Sequence, residues 1–422
     1  MIELSMDEQA LMTCCASLKV IGIGGAGGNA VNSMISGADL SSVQFIVANT
    51  DSQSLNLSLA QNKIQLGKQI TKGLGAGANP EIGRQAAEED LNSILDYLAN
   101  TDILFLTAGL GGGTGSGALP VIAQAAKELG LLTIAIVTKP FLFEGKRRQK
   151  HAEEALAKLE GSVDTLIVVP NQRLIEISDP KISMLNAFAL ANDILKQAIK
   201  GISDIITKAG HINVDLADVK TIMRNTGMAI MGTGRASGAD RARKAAIHAI
   251  SSPLLENTNI QGARGVLINI TGNEDLELQE INEAASMIYD LVNPEANIIL
   301  GSVIDKTVGE ELSITVIATG IEKAAGKEST AATTKPARTT DMATTQEKTI
   351  TPYVEQRTQE TAIDLSPEIV TEEIKEPETN ITPTATEPIY DLNDLDTPTF
   401  LRKKAVAESE TAEMSSSSTE HL

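Results

Sequence analysis

The apolar positions of this chain fall into two rhythms. Nearly unbroken runs at Lys19–Ile23, Phe45–Ala48, Ile103–Leu106, Leu131–Thr138 and Leu166–Val169 have the length of strands and lack polar alternation, so they predict strands covered on both faces. Stretches with helical spacing stand between them, at Ala30–Ile35, Pro80–Leu98 and Ala118–Leu129. Strand and helix in alternation predict a mainly parallel sheet with right-handed crossovers. A longer periodic stretch opens at Asp179-Pro180, with Asp179 or Ser183 as its cap, and runs to about Lys208 before Gly210. Its apolar arc, from Met184 and Leu185 to Ile205 and Ile206, is so wide that the helix is expected to lie buried between two units.

From Val219 to Ala318 the pattern turns α+β. Strands are expected at Met228–Gly232, Val266–Thr271, Asn297–Gly301 and Leu312–Ala318, and helices at Ala239–Ile250 and Leu278–Val292. Residues 322–388 are rich in Thr, Glu, Pro and Ala with no apolar period, which predicts disorder. Apolar residues return at Tyr390; Pro398 suits a first helical turn and Arg402–Lys404 its end. Phe400 and Leu401 have no core of their own there, so the segment is expected to fold on a partner. The fold class so read is α/β: a Rossmann-like parallel-sheet domain (19–179), joined by a long central helix (180–209) to an α+β C-terminal domain (210–321). A flexible N-terminus (1–18) precedes these domains. A disordered linker (322–388), a partner-binding peptide (389–404) and an acidic, Ser-rich tail (405–422) follow them.

Composition narrows the chemistry. Hydrophobic residues make up 42% of the 422 positions but aromatics only 2%, so the cores must be aliphatic. A net charge of −20 argues against nucleic acid and anionic membrane as direct partners. Cys14 and Cys15 are adjacent and make no disulfide framework, which points to a reducing compartment. The first eight residues carry acids where a signal peptide carries bases, and no run approaches the roughly 18 apolar residues of a membrane span. The expectation is a soluble cytoplasmic protein without direct membrane insertion. The four histidines are scattered, and no metal-ligand set is legible.

The chemistry is concentrated in glycine. Gly111, Gly112, Gly113, Thr114, Gly115, Ser116 and Gly117 follow a buried-strand run and precede a helix, with five glycines in seven positions. Bare backbone amides at a helix start form an anion site, and the two hydroxyls can bond phosphate oxygens or metal-bound water. The loop lacks the Gly-Lys-Ser/Thr ending of a P-loop. An earlier run, Gly22 to Asn29, contains a formal Gly-x-Gly-x-x-Gly with Asp51 after the second strand, so a nicotinamide- or flavin-dependent oxidoreductase is the enzyme alternative. A third glycine-rich turn, Thr71–Pro80, reads by itself as a plain strand-to-helix loop. Lys146–Arg148 reads as a basic surface turn, Glu88-Glu89-Asp90 as a solvated face, and Asp215 with Asp218 as a cap for the helix that follows.

The stretch Gly111–Gly117 resembles the signature loop of the tubulin/FtsZ family of GTPases, with Ser116 where bacterial members usually carry Thr. Resemblance extends over Lys19 to Ile321. It implies that GTP or GDP is bound by Gly25, Ala26, Gly27, Gly28 and Asn29 in a first loop, where many bacterial members have Gly at the position of Ala26; triphosphate chemistry in turn implies Mg2+. It places Ala76, Gly77 and Asn79 near the terminal phosphate, Glu144 on the ribose, Arg148 near the phosphates, and Asn171 in the site. Phe188 would stack on the base, and Asp193, beside Asn192, would accept from guanine N1–H and the 2-amino group. The segment from Asn213 matches the family's catalytic loop, which enters the nucleotide pocket of the next subunit. Asp215 and Asp218 would there polarise the attacking water, with Asn213 lining the site. The resemblance further implies a head-to-tail homopolymer that forms a bacterial division ring at midcell. Asp394, Pro398, Phe400, Leu401, Arg402 and Lys403 would dock on membrane-tethering and regulatory division proteins. A filament protein that binds nucleotide without hydrolysing it is the structural alternative, disfavoured by Asp215 and Asp218.

Overall fold

A computed structural model describes residues 16–37, 40–176, 181–208, 210–252, 255 and 260–321. The expectations for Met1–Cys15, Asp179-Pro180, the linker, the partner peptide and the tail lie outside these residues. The aliphatic runs form strands β1 (Leu18–Ile23), β2 (Val43–Asn49), β3 (Asn62–Gln65), β4 (Ile103–Gly109), β5 (Leu132–Lys139) and β6 (Thr165–Pro170). They pair in parallel in the order β3-β2-β1-β4-β5-β6. Every residue of β1 is buried, because helices roof both faces of the sheet. On one face lie α1 (Gly24–Gly37) and a long helix from Met184; on the other lie α2 (Pro80–Glu89), α3 (Leu91–Leu98), α4 (Gly113–Glu128) and α5 (Lys146–Leu159). The order reverses between β1 and β4, so their carboxyl ends open a crevice at the switch point of the sheet.

The long helix α6 (Met184–Thr207) is capped by Ser183, whose hydroxyl accepts from Asn186 N at 3.2 Å. Its apolar arc shares one core with Ile136 of β5, and with Met231 and Ile317 from the second half of the chain. After α7 (Leu216–Met223) come β7 (Gly227–Ala236), α8 (Arg241–Ile250), β8 (Gly265–Gly272), α9 (Leu278–Tyr289), β9 (Asn297–Ile304) and β10 (Leu312–Thr319). β7 pairs in parallel with β6, so the ten described strands make one sheet that continues β7-β10-β8-β9. The C-terminal α+β region has its own core, where Ala245 and Ile288 pack on Val266 and Val316.

The carboxyl end of α6 is tied to this region by four charges. Lys208 Nζ lies 3.3 Å from Asp305 Oδ2 and 3.6 Å from Asp204 Oδ2, while Lys200 pairs with Asp204 and lies 3.4 Å from Asp305. Both carboxylates are buried. Burial pushes the Asp204 carboxyl up, against the pull of Lys200 and Lys208. Burial opposes ionisation of Asp305 too, but hydrogen bonds from Thr307 and the two lysines hold it well below the usual carboxylate range. A depressed Asp pKa contributes stability above its unfolded value of about 4 and loses it as pH falls through the folded value. The raised Asp204 acts in the opposite sense, since acidification relieves its buried charge.

The structure departs from the sequence reading where side chains serve distant backbone. The helix expected over Pro80–Leu98 breaks at Asp90, whose Oδ2 accepts from Gly67 N at 2.7 Å. Glu89 likewise accepts from Gln69 N and Ile70 N, at 3.0 and 3.3 Å, so the acidic triplet is more than a solvated face: it holds a loop. β3 was not legible, having one buried residue, Ile64. α5 was hidden because its first turn is the basic run at Lys146. Helices expected from Ala30 and Ala118 begin within the glycine stretches, at Gly24 and Gly113.

Gly117 sets how closely α4 meets α2: a Cβ there would fall 1.9 Å from Pro80 O and 2.6 Å from Arg84 N. Gly117→Ala should therefore destabilise the protein by roughly 1–3 kcal/mol in urea unfolding, as overpacking does. Gly161→Ala, where the added methyl meets open space, should stay within about 0.5 kcal/mol of the wild type.

Candidate functional site

Two helices begin at the crevice above β1 and β4. α1 starts at Gly24 directly from the end of β1, and a Cβ on Gly27 would strike Thr107 O at 2.5 Å, so only glycine lets this helix seat against β4. The chain leaves β4 through Gly111 at φ +101°, a conformation that other residues rarely adopt. α4 then starts after Gly112, which offers no capping side chain. The first-turn amides of both helices are left for a ligand, and the two positive dipole ends converge on one cleft of about 260 Å3. Gly25, Ala26, Gly112, Gly113, Thr114 and Gly115 line it.

The hydroxyls of the signature stretch have separate neighbours. Thr114 Oγ1 is 2.6 Å from Thr50 Oγ1, a residue that sequence reasoning missed because nothing marks it except its place after β2. Ser116 is buried, and its Oγ accepts from Gly111 N at 2.8 Å, so it folds the loop from beneath. Gly28 and Gly117 are also packed inside, and Asn29 is exposed outside the cleft lining. Ala76 abuts Gly113, where an added Cβ would lie 2.9 Å away. Asn79 Oδ1 caps α2 by accepting from Glu81 N at 3.0 Å, and a Cβ added at Gly77 would meet open space. The third glycine turn thus touches the signature loop while the cleft is lined without it.

The opposite wall is aromatic and polar. Phe188 packs edge-on against Phe141 at 5.2 Å and Phe143 at 6.5 Å, which gathers three of the chain's six phenylalanines at one mouth. Glu144 Oε1 accepts from Phe141 N at 3.0 Å, and its Oε2 from Arg148 Nη1 at 2.5 Å, so the carboxylate is fixed before any ligand arrives. Asn192 lines the cleft from α6; Asp193 turns aside to Lys196 Nζ at 2.6 Å. Asn171 is 4% exposed, lines the cleft, and its Oδ1 has no partner among the described residues. A buried amide oxygen without a donor is costly, and the cleft is where a ligand would supply one.

Asn213, Asp215 and Asp218 are not part of this cleft. They are exposed beyond the other end of α6, and the helix separates Asn192 from Thr207 by about 22 Å at 1.5 Å per residue. Asp215 caps α7 and Asp218 answers it: Asp218 N donates to Asp215 Oδ1 at 2.8 Å and Asp215 N to Asp218 Oδ2 at 3.4 Å. α7 therefore begins at Leu216, directly after its cap. The capping reading of these residues is realised in the fold, and it leaves one oxygen of each carboxylate free for another role.

The two halves of the chain match two families. The tubulin/FtsZ family GTPase domain matches residues 17–179, and the FtsZ family C-terminal domain matches residues 227–322. An empty FtsZ dimer from M. jannaschii is 41% identical, with a TM-score of 0.70 over 75% of this chain and 93% of that one. A mutant FtsZ from M. jannaschii is 42% identical, again with a TM-score of 0.70, over 74% and 93%. CetZ2 from Haloferax volcanii, a GTPγS-bound protofilament, shares the fold at 22% identity and a TM-score of 0.62, over 73% and 94%. These matches leave no place for the oxidoreductase alternative: the formal Gly-x-Gly-x-x-Gly lies within a tubulin/FtsZ family GTPase domain.

Asn171→Leu removes the unpartnered oxygen with little change of shape. Stability of the nucleotide-free protein should hold or rise, since an apolar isostere at such a site is nearly neutral. Nucleotide affinity, measured by titration, should fall roughly tenfold, the effect of about one lost buried hydrogen bond; unchanged affinity would exclude Asn171 from the bound state.

Proposed function

The chain belongs to the tubulin/FtsZ family and is a GTPase, and from that premise we propose that it hydrolyses GTP between successive copies of itself in a head-to-tail filament. The observation that carries this is the distance between its parts. The cleft supplies amides, hydroxyls and an aromatic platform, but the one carboxylate that lines it among the described residues, Glu144, is engaged by Phe141 N and Arg148. The carboxylates suited to orienting water, Asp215 and Asp218, stand at the far end of α6. One copy cannot bring them to its own nucleotide, whereas the next copy in a filament can. The rim of the cleft supports such a contact: Leu142, Phe143, Met184 and Leu185 are all well exposed around its mouth. A contact between two different faces does not close on itself and propagates a filament.

In this reading the two helix starts hold the phosphates, Phe188 stacks on the base, and Asp193 exchanges Lys196 for guanine N1–H and the 2-amino group. Mg2+ belongs to the triphosphate. Among the described residues no group of three or more His, Cys, Asp or Glu could cage a metal, and Mg2+ is ordinarily held by phosphates, water and one or two protein groups. The filament is assigned to a cell-division ring at midcell on the cytoplasmic side of the membrane. The segment from Asp394 to Lys403, outside the described residues, is assigned to docking on membrane-tethering division proteins.

Substitution of Asp215 separates catalysis from capping, because Asn is as good an N-cap as Asp. Asp215→Asn should bind GTP with wild-type affinity, remain as stable as the parent, and lose at least about tenfold in turnover. Wild-type turnover per molecule should rise steeply with protein concentration; a specific activity independent of dilution would mean that one chain holds a complete site. ATP should compete poorly for the cleft, since adenine offers Asp193 no pair of donors to exchange for Lys196, and equal competition would remove Asp193 from base selection. Deleting Tyr390 onward should spare assembly in sedimentation and abolish binding to the division adaptors.

A further inference from the structure

The exposed carboxylate loop is indexed by the edge of the sheet. Among the described strands β9 is the last in the order, paired on one side with β8 and with no strand on the other. The loop between α6 and α7 covers that open side at one residue, Ser302. Ile212 N donates to Ser302 Oγ at 2.9 Å, and Ser302 N donates to Ile212 O at 3.0 Å, forming an isolated antiparallel bridge. Gly210 lies so close to the same residue that a Cβ would fall 1.5 Å from Ser302 O. Inside the loop, Gly210 N donates to Asn213 Oδ1 at 2.9 Å, so the orientation of Asn213 follows that of Gly210. Gly301, the residue before, lets β9 approach Ile205 and Val214, where an added Cβ would lie 2.4 and 3.1 Å away.

A second fixed point stands three residues on. Asp305 receives Thr307 N at 3.0 Å and Thr307 Oγ1 at 2.5 Å, and presents its other oxygen to Lys208, at the mouth of the loop. Ser302 is 1% exposed and Asp305 6%, so neither can meet nucleotide or a neighbouring copy directly. Their contacts run through the loop, whereas Asp215 and Asp218, which follow it, are exposed. A water-orienting carboxylate works only within a fraction of an ångström of its productive place. The freedom of this loop is therefore set where it is anchored.

We propose that Ser302 is a positioning residue for GTP hydrolysis: its hydroxyl and backbone, seconded by Asp305, fix the attitude in which Asn213, Asp215 and Asp218 are presented to the nucleotide of the next copy. The proposal rests on the reading of that loop as the hydrolytic half of a shared site. It makes the C-terminal region part of the reaction, since any shift of β9 relative to α6 moves the loop with it.

Turnover per assembled subunit, nucleotide affinity and sedimented polymer are to be measured with GTP for full-length variants at saturating protein. Ser302→Ala deletes the hydroxyl and spares the backbone bridge. It should lower turnover by three- to tenfold while affinity and polymer mass stay within twofold of wild type. Ser302→Thr keeps the hydroxyl and should return turnover to within twofold. A merely structural serine would instead reduce polymer and turnover together. Asp305→Asn, which reaches the loop through Lys208, should give the same split, and it decides the matter should Ser302→Ala fail to fold: normal turnover there overturns the proposal. Asp215→Asn belongs in the same series. If it retains full turnover, the reading of the loop as hydrolytic falls, whatever Ser302 does. If it is inactive while Ser302→Ala turns over at the wild-type rate, the Ser302 proposal falls alone.

Discussion

Two helix starts meeting over the ends of β1 and β4 are the constraint on which the rest of this protein depends. Each start leaves backbone amides without partners, and together they concentrate partial positive charge in one place. The convergence is possible only where side chains are missing. Gly27 lets α1 lie against the backbone of β4, and Gly117 lets α4 lie against α2. The sheet below is rigid because its strands are aliphatic and roofed on both faces, so the amides hold their places before any phosphate arrives.

The same rigidity produces a division of labour. α6 is apolar over so wide an arc that it packs into the core of both halves of the molecule, and it can neither bend nor leave without opening that core. Its amino end brings Phe188 and Asn192 to the cleft. Its carboxyl end delivers the loop of Asp215 and Asp218 to a distant surface. A stiff rod thus holds the amides and aromatic wall of the cleft apart from the exposed carboxylates of Asp215 and Asp218. The quartet of Lys200, Asp204, Lys208 and Asp305 fixes the distal end. Two carboxylates and two ammonium groups balance one another there, since either charge alone would be costly to bury.

The exposed apolar rim around the cleft belongs to the same logic. Leu142, Phe143, Met184 and Leu185 remain uncovered in a chain with few aromatic residues to spare. A folded domain seldom leaves such residues together at the mouth of its binding cleft without a partner surface to meet them.

The amino-acid sequence by itself determined the sheet and its helices, the long buried helix and the glycine stretch at a helix start. Each of these follows from local spacing: aliphatic runs, helical period, glycines between strand and helix. Whatever depended on contacts across the chain was decided by the tertiary structure. Asp90 breaks a helix because Gly67, 23 residues away, needs an acceptor. Ser116 turns inward to Gly111, and Thr50 arrives beside Thr114 from another strand. Asp215 and Asp218 could be read as a cap or as an acid pair; the fold makes them a cap and sets them beyond the far end of α6, more than roughly 20 Å from their own cleft. Ser302 had no signal at all in the sequence, since a serine in a strand becomes an anchor only when the sheet edge it occupies faces a loop. Spacing along the chain fixes which groups exist; only packing fixes which of them can reach one another.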